Sequence, residues 1–231
     1  MSTSIQGYIV TLLEKKEIAK HVFELRFSKP EGFSYTPGQF VQFLIPNLEK
    51  KTPRAYSISS LPNDDYLEFC IKFLDGGIAS EYFRSLNIGV ATECKGPLGR
   101  FMVKDNPHET FFVATGVGLA PIIGMIRSLA EKKNEAHKIH LLFGVREEDD
   151  LFWIERLESM KQQYPQFDFA VTLSRPTLQW TGLKGRVTDH ILQDIGTHAC
   201  YLCGNVDMVK DVRTILLENG VHAENIHFEI F

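Results

Sequence analysis

The sequence predicts two domains: an N-terminal antiparallel β-barrel over residues 1–104 and a C-terminal α/β domain built on a parallel sheet over residues 105–231. Three observations carry this. Short segments of period-two alternation, separated by turn residues, fill the first hundred positions. After Lys104, apolar strands alternate with helices, the pattern of a parallel sheet covered on both faces. Between the two rhythms lies Asp105–Glu109, a polar stretch containing Pro107 that reads as a linker.

In the first half, His21–Phe27 sets Phe23, Leu25 and Phe27 on one face and Glu24 and Arg26 on the other. Tyr66–Phe73 points Leu67, Phe69, Ile71 and Phe73 inward and Glu68, Cys70 and Lys72 outward. Phe40–Ile45 and Arg54–Ser59 are further strands, and Ser80–Leu86 is a short helix. Turns at Lys29-Pro30-Glu31-Gly32, Pro37-Gly38 and Leu61-Pro62-Asn63-Asp64 punctuate them, as in a small closed barrel. In the second half, Phe111–Ala114 is a buried strand followed by a glycine-rich turn and a helix to about Lys132. Ile139–Gly144 is the next strand, Leu151–Gln163 a helix and Phe167–Leu173 a third strand. Tyr201–Cys203 follows, then a helix over Met208–Asn219 closed by Gly220, and the last strand is Ile226–Phe231.

Composition narrows the function classes. Of 231 residues, 44% are apolar and 23% charged, which excludes a disordered or collagen-like chain. Net charge is −4, with +1 on residues 1–105 and −5 on the rest, so neither half has the basic excess of a nucleic-acid binder. The longest apolar stretch, Phe111–Ile126, is shorter than a bilayer span and is broken by Gly116, Gly118, Pro121 and Gly124, so no membrane helix is expected. The opening MSTSIQGYIV shows no signal-peptide pattern. With only four scattered cysteines, the expected setting is reducing and cytoplasmic, without membrane association.

Four segments carry the chemistry. Thr115-Gly116-Val117-Gly118-Leu119-Ala120-Pro121 follows a buried strand and opens a helix, where glycines admit a pyrophosphate to the helix N-terminus and Pro121 suits an early helical position. Its spacing is not G-x-G-x-x-G, and a turn needed only for packing explains it equally well. Arg54-Ala55-Tyr56-Ser57 alternates a cation, a flat aromatic and a small hydroxyl along a strand, with Arg54 and Tyr56 on one face and Ser57 on the other. Gly76-Gly77-Ile78-Ala79-Ser80 precedes a short helix and offers free N–H groups with a serine hydroxyl, or simply a glycine turn with a serine cap. Gly96-Pro97-Leu98-Gly99-Arg100-Phe101 closes the barrel half and also serves as a rigid connection.

Taken together, the chain resembles the ferredoxin–NADP reductase superfamily. The residues that carry the resemblance are Arg54–Ser57 (R-x-Y-S), Gly77–Ser80 (G-x-x-S), Gly96–Phe101 (G-P-x-G-x-F), Thr115–Pro121 (T-G-x-G-x-A-P), Cys203-Gly204-Asn205 and Glu229-Ile230-Phe231. They occur in the family's order across nearly the whole chain. The resemblance implies a Greek-key barrel that holds FAD and a Rossmann-like domain that holds a pyridine nucleotide, the two cofactors meeting at the domain interface. Arg54 is then the arginine on the flavin phosphates, with Ala55 beside it, Tyr56 the ring against the isoalloxazine and Ser57 the serine near flavin N5. Gly77, Ile78, Ala79 and Ser80 are similar to the pyrophosphate cradle. Thr115, Gly116, Gly118 and Pro121 form the turn under the dinucleotide. Cys203, Gly204 and Glu229 are similar to the residues of the nicotinamide pocket, and Phe231 to the terminal aromatic that covers the flavin. Plant-type members end in tyrosine there; phenylalanine keeps the flat ring and loses the hydroxyl. Ser57, Cys203, Glu229 and Phe231 are the expected catalytic set.

Arg146, Arg175 and Arg186 resemble the positions that hold the 2′-phosphate in bacterial NADP-using members, and Ser174, beside Arg175, is expected among the cofactor-binding residues. The arginines favour NADP(H) over NAD(H), although the acidic run Glu147–Asp150 weakens the field. Valine stands between Gly116 and Gly118 where many relatives carry threonine, which removes one hydroxyl from the nicotinamide side. No metal is expected. Cys200 and Cys203 are three apart on a strand and face opposite ways, Cys70 and Cys94 add no companion pair, and the histidines lack ligand spacing. Electrons are therefore expected to pass from NADPH through FAD to a separate ferredoxin or flavodoxin. The competing readings are the reductase component of an oxygenase system, a free-flavin reductase and a flavin-binding module without turnover.

Overall fold

The computed structural model describes residues 6–48, 50–104, 109–132 and 136–231. The chain divides into two compact units, Met1–Met102 and Val103–Phe231. The expected linker falls on residues 105–109, of which 105–108 lie outside the described residues.

The first unit holds β1 (Gly7–Ala19), β2 (Val22–Ser28), β3 (Phe40–Asn47), β4 (Lys50–Ser57), β5 (Tyr66–Lys72), α1 (Ile78–Ser85) and β6 (Ala91–Leu98). All pairings are antiparallel, in the order β4-β3-β6-β1-β2-β5. This non-sequential order is the Greek-key crossover expected from the sequence. Past the end of β4, the Ser59 N–H donates to the Glu68 carbonyl of β5 at 2.8 Å, which draws the two edge strands together. Exposed edges of this kind invite pairing with other chains, and curling the sheet removes them. The interior is aromatic. Phe43 meets Phe27, Phe69 and Phe83 at ring-centroid distances of 5.0, 5.1 and 5.2 Å, tilted or edge-on, the geometry that ring quadrupoles favour.

Two expectations need correction. Glu68 and Cys70 point to no solvent: Glu68 is fully buried and Cys70 is 6% exposed. The reason for Glu68 is Arg26 on β2, whose Nε donates to its carboxylate at 3.1 Å, while Arg26 also pairs with Glu14 and Glu24. A buried carboxylate persists only with such partners. The second concerns the strand expected at Arg54–Ser59, which instead begins at Lys50 and ends at Ser57.

The second unit holds β7 (Thr110–Thr115), α2 (Leu119–Lys132), β8 (Ile139–Val145), α3 (Ile154–Gln163), β9 (Phe167–Leu173), β10 (Leu183–Lys184), β11 (Ala199–Gly204), α4 (Val206–Glu218) and β12 (Ile226–Ile230). Its sheet is parallel throughout, in the order β10-β9-β8-β7-β11-β12. The chain works outward from β7 to β10 and then returns to β11 on the other side of β7. The point where strand order reverses, between β7 and β11, is where ligands bind in open α/β sheets. On one face Phe111, Val113, Cys200 and Leu202 pack against Met208, Val209, Val212 and Leu216 of α4. The alternate residues Phe112 and Tyr201 face the other way and stack at 5.3 Å.

Candidate functional site

In the first unit, two of the singled-out segments meet through β3. Ser57 lies opposite Phe40 on β3, and Phe40 lies opposite Leu98 on β6. A β-carbon on Gly99, which has φ +98°, would stand 2.9 Å from the Phe40 ring, so only glycine lets the chain pass there. Ser57 is buried, Arg54 and Ala55 are exposed, and Tyr56 is half-buried. The Tyr56 ring rests edge-on against Phe83 of α1 at 5.5 Å, and burial pushes its phenol up to about 12, against the pull of Arg54. It is therefore a neutral, fixed aromatic surface.

Beside it, α1 begins with Gly77 as its cap, after Gly76 at φ +70°. The first helical hydrogen bond runs from Glu81 N–H to the Gly77 carbonyl at 2.9 Å. The N–H groups of Ile78, Ala79 and Ser80 precede it and, as in any first turn, have no intrahelical acceptor. Ser80 is not the cap. It sits in the first turn, buried, and its Oγ accepts the Leu74 N–H at 2.8 Å, which pins the turn 74–77 to the helix start.

In the second unit, the segment from Thr115 to Pro121 occupies the sheet's reversal point. Thr115 ends β7, residues 116–118 form one 3-10 turn with Gly116 at φ +53°, and Pro121 is the third residue of α2. Gly118 lies against the backbone of β11: an added β-carbon would stand 2.6 Å from the Cys203 carbonyl carbon and 3.0 Å from the Gly204 nitrogen. Gly204 in turn leaves no room for a β-carbon, which would overlap Thr115 Oγ1 and stand 2.6 Å from Met208 Cε. Thr115 Oγ1 is buried and has no hydrogen-bond partner among the described residues. Asn205 caps α4 by accepting the Met208 N–H at 2.9 Å.

Cys203 and Glu229 stand opposite each other in the β11–β12 register. Burial pushes the Cys203 thiol well above its ordinary range, and the Glu229 carboxylate adds to the shift, so this sulfur stays protonated. The Phe231 N–H donates to the Gly204 carbonyl at 3.1 Å, while its residue is 54% exposed. Cys200 sits in the α4-side core, where burial pushes its thiol up to about 12. Among the described residues no group of His, Cys, Asp and Glu is placed to hold a metal.

The arginines lie on loops leaving the carboxyl ends of β8, β9 and β10. The Arg175 N–H donates to the Arg146 carbonyl at 2.8 Å, the Ser174 N–H to Val145 at 3.1 Å and the Gly185 N–H to Leu173 at 2.9 Å. These bonds bring Arg146, Ser174, Arg175 and Arg186 to one edge of the sheet, all exposed. Sequence reasoning missed a further link. Glu148 Oε1 accepts both the Thr177 N–H at 2.9 Å and the Thr177 hydroxyl at 2.7 Å. Nothing in local periodicity announces a contact between residues 29 apart.

Comparison with known proteins agrees with this geometry. The oxidoreductase FAD-binding domain family matches residues 9–103, and the oxidoreductase NAD-binding domain family matches residues 112–214. The toluate 1,2-dioxygenase electron transfer component of Pseudomonas putida is 30% identical over 99% of this chain and 69% of its own length. Ferredoxin–NADP reductase B of Sorangium cellulosum is 31% identical over 94% of this chain and 95% of its own. The chain spans 61% of the anthranilate 1,2-dioxygenase electron transfer component of Acinetobacter baylyi. Among solved structures, the cytochrome P450 reductase GcoB of Amycolatopsis superposes with a TM-score of 0.88 at 26% identity, over 99% of this chain and 71% of that one. With an antiparallel barrel and a parallel α/β sheet each matched to its own family, the chain belongs to the ferredoxin–NADP reductase superfamily of FAD- and NAD(P)-binding oxidoreductases.

Proposed function

We propose that this protein oxidises NADPH and passes the electrons, through FAD, to a separate ferredoxin or flavodoxin. The observation that carries the reading is the reversal point of the parallel sheet. There Gly118 and Gly204 let the turn after β7 meet the end of β11 at backbone contact, and Gly116, at φ +53° with open space where a β-carbon would stand, leaves the turn bare before α2. A backbone bared in this way, at a helix start, suits a pyrophosphate and the polar edge of a nicotinamide. The first unit fits FAD by the same logic: α1 offers its first-turn N–H groups, Arg54 a planar cation and Tyr56 a neutral ring.

Bound FAD would supply the chemistry of hydride acceptance and single-electron release. The chain's own residues orient and exclude water. Arg54 would hold phosphate charge, with Ala55 leaving space beside it, and Gly77, Ile78, Ala79 and Ser80 would cradle the pyrophosphate. Tyr56 would support the flavin ring and Ser57 would direct its hydroxyl to N5. Thr115, Gly116, Gly118 and Pro121 would carry the dinucleotide, and Cys203, Gly204 and Glu229 would line the nicotinamide side. The neutral Cys203 thiol fits a role in shape and polarity, not in nucleophilic attack. Phe231 would cover the flavin face and move to admit nicotinamide. Arg146, Ser174, Arg175 and Arg186 would hold the 2′-phosphate, which favours NADP(H). Similarity to ferredoxin–NADP reductase B over nearly the whole of both chains supports the ferredoxin or flavodoxin acceptor. Similarity to dioxygenase electron transfer components supports, as a second reading, the reductase of an oxygenase system.

The test is spectroscopic. Purified protein is expected to be yellow and to bleach when NADPH is added without oxygen. A colourless protein that oxidises NADPH only with added flavin would mark a flavin reductase, and a yellow one indifferent to both pyridine nucleotides would overturn the proposal.

A further inference from the structure

The acidic run 147–150 stands beside Arg146 and by charge alone opposes a dianionic phosphate. Its members do not share one environment. Glu148 is spent on the neighbouring loop: one carboxylate oxygen accepts both the N–H and the hydroxyl of Thr177. These bonds hold its carboxyl below the usual carboxylate range, so it is charged whenever the protein is folded near neutral pH. The same two loops are joined a second time by the Arg175 N–H and the Arg146 carbonyl at 2.8 Å. The arginines are the partners of this link, and the Glu148–Thr177 link lies just beyond them. Arg146 lies two residues before Glu148, and Arg175 two residues before Thr177. Both arginines are exposed, and among the described residues neither makes an ion pair.

We infer that Glu148 is a specificity-determining positioning residue: through Thr177 it fixes the 175–177 loop so that Arg146 and Arg175 converge on the coenzyme's 2′-phosphate. The argument is geometric. Backbone bonds from Ser174 N–H to Val145 and from Arg175 N–H to Arg146 carry the pairing as far as Arg175, and the Glu148–Thr177 bonds extend it two residues further, which fixes the direction in which the loop leaves the arginines. Charge-assisted bonds are stronger than neutral ones, and restraining both loops before binding lowers the ordering cost of the bound state. Both guanidinium groups stay free for the ligand because Glu148 takes its partners from Thr177 and not from the arginines. A position that reads from sequence as a hindrance to NADP binding therefore contributes to it.

The inference rests on the 2′-phosphate reading of the arginines, and the experiment separates the two. Calorimetry would measure the protein binding 2′,5′-ADP and, in parallel, 5′-AMP, which lacks the 2′-phosphate. Glu148→Ala is expected to weaken 2′,5′-ADP about tenfold, the effect of losing roughly one strong hydrogen bond, and to leave 5′-AMP within about twofold. Thr177→Val, which keeps the N–H and loses the hydroxyl, should give a smaller loss of the same kind. Glu148→Gln keeps an acceptor oxygen and removes the charge, and should retain most of the affinity. Unchanged 5′-AMP binding shows that each variant is folded at this site. Equal or tighter 2′,5′-ADP binding by Glu148→Ala, with Arg175→Ala still selectively weak, overturns the inference and leaves the arginine reading standing. Loss of no selectivity in Arg175→Ala overturns both.

Discussion

Gly118 approaches the carbonyl of Cys203 so closely that a β-carbon would stand 2.6 Å from the carbonyl carbon. The turn after β7 and the end of β11 are thus held at backbone contact, across the reversal point of the sheet. Gly118→Ala must push the two apart. Overpacking of this kind costs about 1–3 kcal/mol, and the displaced turn is the one proposed to carry the dinucleotide. Urea unfolding should show the lower midpoint, and 5′-AMP calorimetry a weaker site. An unaltered midpoint would mean that the turn yields without strain.

Arg175→Ala should raise the NADPH KM by about 10- to 100-fold, the range for one or two charge-assisted hydrogen bonds, and leave NADH nearly unaffected. Steady-state kinetics with ferricyanide as acceptor would measure both. Equal losses for the two coenzymes would remove the arginine from phosphate recognition.

Deleting Phe231 should raise kcat/KM for NADH. The residue is tethered by its own N–H to the Gly204 carbonyl and is 54% exposed, so it is anchored at the end of β11 without being locked in a core. A small gain of severalfold is the expected size for a gating step. Identical coenzyme kinetics with and without the ring would count against a cover.

Glu68→Ala leaves Arg26 facing a buried gap and strips the Ser59 hydroxyl of its acceptor at 3.0 Å. Arg26 keeps Glu14 and Glu24 and its side chain is 32% exposed, so the loss comes mainly from the buried groups left unsatisfied and is about 1–3 kcal/mol. Chemical unfolding followed by tyrosine and tryptophan fluorescence should show that loss, with Glu68→Gln losing less. The strand exit that carries Ser59 follows Ser57 by two residues, so flavin content should fall together with stability.

High pH should destabilise the fold. Burial pushes the Cys94 and Cys200 thiols and the Tyr56 phenol up to about 12. Each group titrates near its ordinary value once unfolded, so its contribution is complete below about pH 9 for the thiols and 10 for the phenol. It is lost as pH rises through the window up to about 12. Unfolding midpoints measured at pH 8, 9.5 and 11 should fall in that order. All four cysteines are buried, so thiol reagents at pH 8 should label native protein only slowly. One fast thiol per chain would contradict this.

Much of the fold was legible because alternation and turn residues are local signals. β2, β3, β5 and every strand from β7 to β9 lie where their patterns predict. β1 was not, because its run Leu13-Glu14-Lys15-Lys16-Glu17 carries no clean alternation and its register shifts twice against β2. Glu68 defeated the inside–outside rule because its partner, Arg26, lies 42 residues away. The motif residues of the candidate site could be read because glycine and proline constrain the backbone by themselves. The Glu148–Thr177 latch could not, since it exists only after β8 and β9 are laid side by side.

The crowding between Thr115 and Gly204 carries a consequence for how sequences of this kind can drift. Any side chain at 204 needs the room that the threonine hydroxyl and Met208 now fill, so a single exchange there meets a collision before it meets any benefit. Change at these positions must come in concert, smaller at 115 as larger at 204, and the pair should vary together across descendants of this chain or not at all.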